Sequence, residues 1–144
     1  VTLSRLRWWW HRRLVREVEA LVFGDEPLPR TDPPLGYGGQ AGPIVHAWAS
    51  AQGLDIGTDR DKPLGRGVLV LGDAGVAFIG GNRPVRYAWS RIAGCGGYYI
   101  DGTFWSLSTK RDRNLHFDLD DRRAAAMVYA AGEVLLLRTQ ADEE

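Results

Sequence analysis

The chain has one cysteine, one methionine and no long apolar run. A single cysteine, Cys95, excludes an internal disulfide framework and suits a reducing compartment. No apolar stretch nears the ~20 residues that a membrane-spanning helix needs. Arg and His break every early apolar segment, which argues against a signal peptide. An excess of one charge is also lacking: 18 basic residues balance 18 acidic ones, so no net field draws the chain to nucleic acid or to an anionic membrane. Lysine is scarce, nearly all bases are arginines, and Ala and Gly are frequent, a usage that fits a GC-rich bacterial genome. At 144 residues the chain can bury a single core.

What is present, above all, is strand patterning between residues 66 and 119. Gly67-Val68-Leu69-Val70-Leu71 is a short β-branched apolar run of the kind covered on both faces. Gly72-Asp73-Ala74-Gly75 supplies a turn, and Val76-Ala77-Phe78-Ile79 returns as a hairpin partner. After the turn at residues 80–84, Val85, Tyr87 and Trp89 alternate with Arg86, Ala88 and Ser90, the period of a half-buried strand. Residues 98–100 and 103–107 flank Asp101-Gly102, a pair suited to a type I′ hairpin turn. Leu115, Phe117 and Leu119 alternate with His116, Asp118 and Asp120 to give the sixth strand. Residues 44–50, with Val45, Ala47 and Ala49 on one face, add a seventh upstream.

A helix is predicted from Asp120 to about Leu137, with Asp118 or Asp120 as its N-cap. Ala124, Met127, Val128, Ala131, Val134 and Leu135 recur at helical spacing. Gly132 is its weak point, costing about 1 kcal/mol relative to Ala in a helix interior, but continuation through it is expected. The expected domain layout is a Trp/Arg-rich helix over 1–24, a Pro/Gly-rich linker over 25–43, a β-rich domain over 44–139 and an acidic tail over 140–144.

In the N-terminal helix, Leu3, Leu6, Trp10, Leu14, Val18 and Leu21 form an apolar stripe that Trp8, Val15 and Val22 widen. Trp9 lies off that stripe among arginines. The helix is expected to pack on the domain or a partner helix, with arginine stems covering the tryptophans. The alternative is an interfacial role at a membrane surface or protein groove, using Trp8, Trp9, Arg12 and Arg13. Nucleic acid is disfavoured, because no basic stripe continues elsewhere.

The chemistry-bearing residues form no catalytic constellation. His11, His46 and His116 fall on three different elements, and Cys95, between glycines, reads as a small buried residue. Gly36-Tyr37-Gly38-Gly39 lacks the Lys-Ser/Thr of a phosphate-binding loop and reads as a turn. Residues 53–65 read as a polar loop. Its Asp55, Asp59 and Asp61 lack the closing Glu and central Gly of a calcium loop. The acids around His116 read as strand end and helix cap. No cofactor, no metal and no enzymatic activity are expected.

The order of elements resembles the pleckstrin-homology superfold. The run from Gly67 to Gly80, followed by Tyr87-Ala88-Trp89-Ser90-Arg91-Ile92, looks like bacterial PH-like, GRAM-like domains common in actinobacteria, and Ile44-Val45-His46-Ala47-Trp48 is similar to the strand that opens them. The resemblance covers about residues 44–137. It implies a mainly β fold, a seven-stranded antiparallel sandwich or barrel with a C-terminal capping helix. It also implies binding of phosphoinositide headgroups, peptides or other domains. Lipid readers of this kind carry a basic cluster on the loop joining the first two strands, where this chain offers Lys62 and Arg66 diluted by acids. Lys110, Arg111 and Arg113 form a second basic group on the last hairpin. The expectation is a cytoplasmic binding or adaptor module engaging a protein partner or a second copy of itself. A peripheral membrane module is the alternative, and an enzyme accessory domain a second alternative.

Overall fold

In the computed structural model, residues 3–57, 60–99 and 103–143 are described, with side chains from residue 9 onward. Helix α1 spans Leu3–Phe23 and helix α2 spans Arg122–Glu143. Between them lie β1 (Val45–Ile56), β2 (Lys62–Gly72), β3 (Gly75–Gly80), β4 (Val85–Ala88), β5 (Ile92–Tyr98), β6 (Phe104–Thr109) and β7 (Asn114–Leu119). All seven form one antiparallel sheet in the order β4-β3-β2-β1-β7-β6-β5.

That order requires a curled sheet. The outermost strands, β4 and β5, are joined by a single 3-10 turn, Trp89–Arg91. Four residue steps reach at most ~14 Å, whereas seven flat strands would separate their outer members by about 29 Å at ~4.8 Å each. The sheet therefore bends into a half-barrel around the apolar face of α2. This mainly β architecture, closed by a C-terminal helix, is compatible with the pleckstrin-homology superfold.

The core follows from period-two alternation. Trp105 and Leu107 of β6 face inward with Leu115, Phe117 and Leu119 of β7, and Leu69, Leu71 and Phe78 join them. On β1 the inward positions are Ala47, Ala49 and Ala51, small residues that let Ala125, Val128 and Ala131 of α2 share the same cluster. Gly53 continues that row. A Cβ there would stand 3.0 Å from Leu64 and 3.2 Å from Phe78, so its absence makes room for the Phe78–Phe117 pair at 5.2 Å.

The run 67–71 is covered on both faces, as its composition predicts. Its outward Val70, with Ala77 of β3, is covered by Ala41 and Tyr37 from the segment before β1. An extra residue at His46 in the β1–β2 register moves Val45 to that outer cluster while Ala47 turns inward. The Pro/Gly-rich segment has no helix or strand, but it is pinned. Thr31 N–H donates to Val45 O at 2.9 Å, the His46 ring Nδ1 meets Pro29 O at 2.8 Å, and Trp48 Nε1 donates to Asp32 O at 2.8 Å. β7 pairs only with β1 from Ala51 onward, so this strap serves the part of β1 that β7 leaves open.

Five expectations about the limits of strands, loops and helices are corrected. β1 runs to Ile56 and β2 starts at Lys62, so the polar loop over 53–65 shrinks to 57–61, because the hairpin pairing continues through Asp55↔Lys62. The strand at 85–90 ends at Ala88, and Trp89 turns into the core, where its Nε1 donates to Gly72 O at 2.8 Å. The strand placed at 98–100 instead spans Ile92–Tyr98 with Cys95 at its centre, while Asp101-Gly102 lies outside the described residues. The α2 cap is Asp121, whose carboxylate accepts from Ala124 N–H at 2.8 Å, and Asp120 is engaged by Arg66 instead. Finally, α2 continues to Glu143, so the acidic end is helical, held through Lys110 Nζ at 3.4 Å from Glu143 Oε2.

Helix α1 packs chiefly on α2. Leu14 and Val18 are buried against Ala126 and Ala130, and Arg123 reaches Glu17 at 3.1 Å. His11 sits beside Arg122, the first residue of α2. The two helices run in the same direction, so the turns before His11 overhang the start of α2. Trp10, expected on the buried stripe, is accordingly 57% exposed. The side chain of Trp8 lies outside the described residues.

Candidate functional site

The open end of the half-barrel gathers charged side chains from three loops around one acid. Asp55 occupies the last inward-facing position of β1, opposite Leu115 of β7. It is only 5% exposed. Its Oδ2 accepts from Arg83 at 2.7 Å and from Arg113 at 2.6 Å. Arg83 comes from the β3–β4 loop, which is tied to β2 by Asn82 N–H to Leu64 O at 2.7 Å and Asn82 Nδ2 to Pro63 O at 3.0 Å. Arg113 comes from the β6–β7 turn, closed by Thr109 N–H to Arg113 O at 2.8 Å and Arg113 N–H to Thr109 Oγ1 at 3.0 Å.

One carboxylate thus satisfies two guanidiniums whose side chains remain about half exposed. A guanidinium carries five N–H donors, so donors on both remain for a ligand. Arg60 and Lys62 line the adjoining cavity of about 350 Å³ with Asp55, Asp112 and Arg113. Among the described residues, cations exceed acids around this mouth even with exposed Asp61 and Asp112 counted, and Arg111 stands exposed on the same turn as Arg113. The arrangement suits an anionic group presented from outside.

Of the residues singled out in the sequence, the structure brings Lys62 and Arg113 together here. Arg66 is drawn away by an ion pair with Asp120, whose hydrogen bond holds its pKa above the usual value. Lys110 is drawn away by Glu143. Trp9, Arg12 and Arg13 form a separate group on α1. Trp9 and Trp10 meet edge-to-face at 5.2 Å, with the Arg13 guanidinium 5.7 Å from each ring centroid. Arg60 and Arg83 were missed, and Asp55 was read as a solvated loop acid. The one available signal was a cation in each of three turns that the curled sheet brings to one end.

The other reactive side chains are dispersed. Cys95 packs beneath α2, and burial, assisted by Glu133, pushes its thiol up to about 12. His46 is held by the strap, and His116 meets Asp118 at 3.1 Å and stacks on Phe104. Among the described residues no three His, Cys, Asp or Glu side chains are grouped to hold a metal ion, and no helix is long and apolar enough to cross a membrane. No protein-family model matches this sequence, and no curated protein is significantly similar to it.

Proposed function

We propose that this chain is a non-enzymatic binding module of the PH-like, GRAM-like kind, engaging a protein partner through an acidic segment that docks at the loop end. The observation that carries this reading is the buried Asp55 holding Arg83 and Arg113 from two separate loops. Arginines fixed in this way lose less side-chain entropy on binding than free ones. The likeness to bacterial PH-like domains supports a binding role, and the single, partly buried cysteine fits a reducing cytoplasm.

A second reading is favoured by α1. Trp9 and Trp10, 52% and 57% exposed beside Arg13, have the composition of an interfacial anchor. Two probes separate the readings. A fluorescein-labelled glutamate-rich dodecapeptide is titrated by anisotropy, and vesicles of 4:1 phosphatidylcholine to phosphatidylserine are sedimented with the protein. The module reading expects salt-sensitive peptide binding, weakened about tenfold by Arg113→Ala and untouched by Arg12/Arg13→Ala. Vesicle binding lost on Arg12/Arg13→Ala, with no peptide binding, would replace it by the membrane reading.

A further inference from the structure

A second cleft, of about 390 Å³, lies between the strap and the last turns of α2. Its floor is apolar: Leu28, Trp89 and Leu135 are all buried in the main core cluster. The indole N–H of Trp89 is spent on Gly72 O, so the ring offers the cleft no donor. Two guanidiniums line it, Arg30 from the strap and Arg138 from α2. Both are exposed, and neither has a hydrogen bond or ion pair among the described residues.

The remaining polar lining is largely committed. The His46 ring is bound at Nδ1 to Pro29 O, Asp73 Oδ1 accepts from Ile44 N–H at 3.1 Å, and the Thr139 hydroxyl donates back to Leu135 O at 3.0 Å. Asp142, one turn beyond Arg138, is the one lining acid without such a bond. The size falls in the usual range of small-ligand sites, roughly 300–1,000 Å³.

We infer that this cleft binds a small amphipathic carboxylate, its apolar body on Leu28, Trp89 and Leu135 and its anionic head between Arg30 and Arg138. The free donors decide the class: Asp73 and Asp142 balance the two arginines in charge, but Asp73 is engaged by Ile44 N–H, whereas the N–H donors of Arg30 and Arg138 are unspent. A neutral apolar molecule would leave those donors unused. Asp142 opposes the head group and keeps affinity low, which gives the proposal a second sign to test. The inference is independent of the loop-end site.

The test is a ¹H–¹⁵N titration of the full chain with sodium octanoate, read at the Trp89 indole resonance, with 1-octanol as the neutral counterpart. Octanoate is expected to shift Trp89 saturably and to bind about tenfold more tightly than octanol. Arg30→Ala and Arg138→Ala should each weaken it three- to tenfold. Asp142→Asn should tighten it, and Arg113→Ala should leave it unchanged. Equal binding of octanol, no shift at Trp89, or indifference to both arginines and to Asp142 would overturn the proposal. A shift of Trp89 by the glutamate-rich peptide but not by octanoate would also overturn it, assigning the cleft to a protein partner.

Discussion

Gly132 of α2 lies against the indole of Trp105: a β-carbon built on it would stand 3.1 Å from Trp105 Nε1 and 3.2 Å from the Cys95 sulfur. Trp105 is wholly buried, and its N–H has no acceptor among the described residues. The helix accepts a poor helix former here because it could not otherwise seat this close to the sheet. Gly132→Ala should therefore destabilise the fold by about 1–2 kcal/mol, since overpacking exceeds the ~1 kcal/mol gained in helix propensity. Gly132→Val should cost more. Urea denaturation measures both, and a stabilised Gly132→Ala would show that Trp105 yields.

This glycine marks the limit of what could be read beforehand. Its propensity cost was legible in the sequence, but its cause, an indole 27 positions away, was not. Alternation and short apolar runs located six of the seven strands, because side chains facing one core must repeat every second residue. The fifth, glycine-rich at Gly94, Gly96 and Gly97, shows no such pattern and was placed at 98–100 instead of Ile92–Tyr98. Asp55 was misread, since charge argues locally for a loop. The partners that permit burial, Arg83 and Arg113, lie 28 and 58 residues away. Trp89 fitted the strand period and was assigned to it, whereas the need to connect two edges of a curled sheet places it in a turn.

Asp55 sets the next expectation. Asp55→Ala leaves two arginines without their shared acceptor, and Asp55→Asn keeps the shape while removing the charge. About 1–3 kcal/mol should be lost in the alanine variant, with less in the asparagine. The half-exposed partners keep the figure below that of a fully buried pair. Thermal denaturation of the two variants checks the order.

The Cys95 thiol sets a pH dependence. Burial raises its pKa from the usual 9.0 to about 12, with Glu133 adding to the shift. Burial also raises Tyr99, assisted by Tyr129 and Glu19, and Tyr129, assisted by Glu133 one turn along α2 and by Cys95. A folded-state pKa above the unfolded one stabilises the fold fully below the unfolded value, and that stability is lost as pH rises through the folded value. Stability should thus decline from about pH 9 to pH 12, and less so in Cys95→Ala. Ellman's reagent at pH 8 should react slowly with the native protein and quickly after denaturation.

Among the described residues, helix α1 is held chiefly by Leu14 and Val18 on the alanines of α2, with Leu21 and Val22 beside them and the Arg123–Glu17 ion pair at the surface. Leu14→Asp should release it while the sheet stays folded. Trypsin should then cut at Arg12, Arg13 or Arg16 several-fold faster, with little change in the thermal midpoint. Loss of the whole fold instead would make α1 an integral part of the core.

The most direct measurement of the central claim, that one buried carboxylate poises arginines from two loops for an acidic partner, is a ¹H–¹⁵N titration of the full chain with the glutamate-rich dodecapeptide. The account predicts that the largest saturable shifts fall on Lys62, Arg83 and Arg113, and vanish in Asp55→Ala. Shifts confined to Trp9, Trp10 and Arg13, or none at any residue, would contradict it.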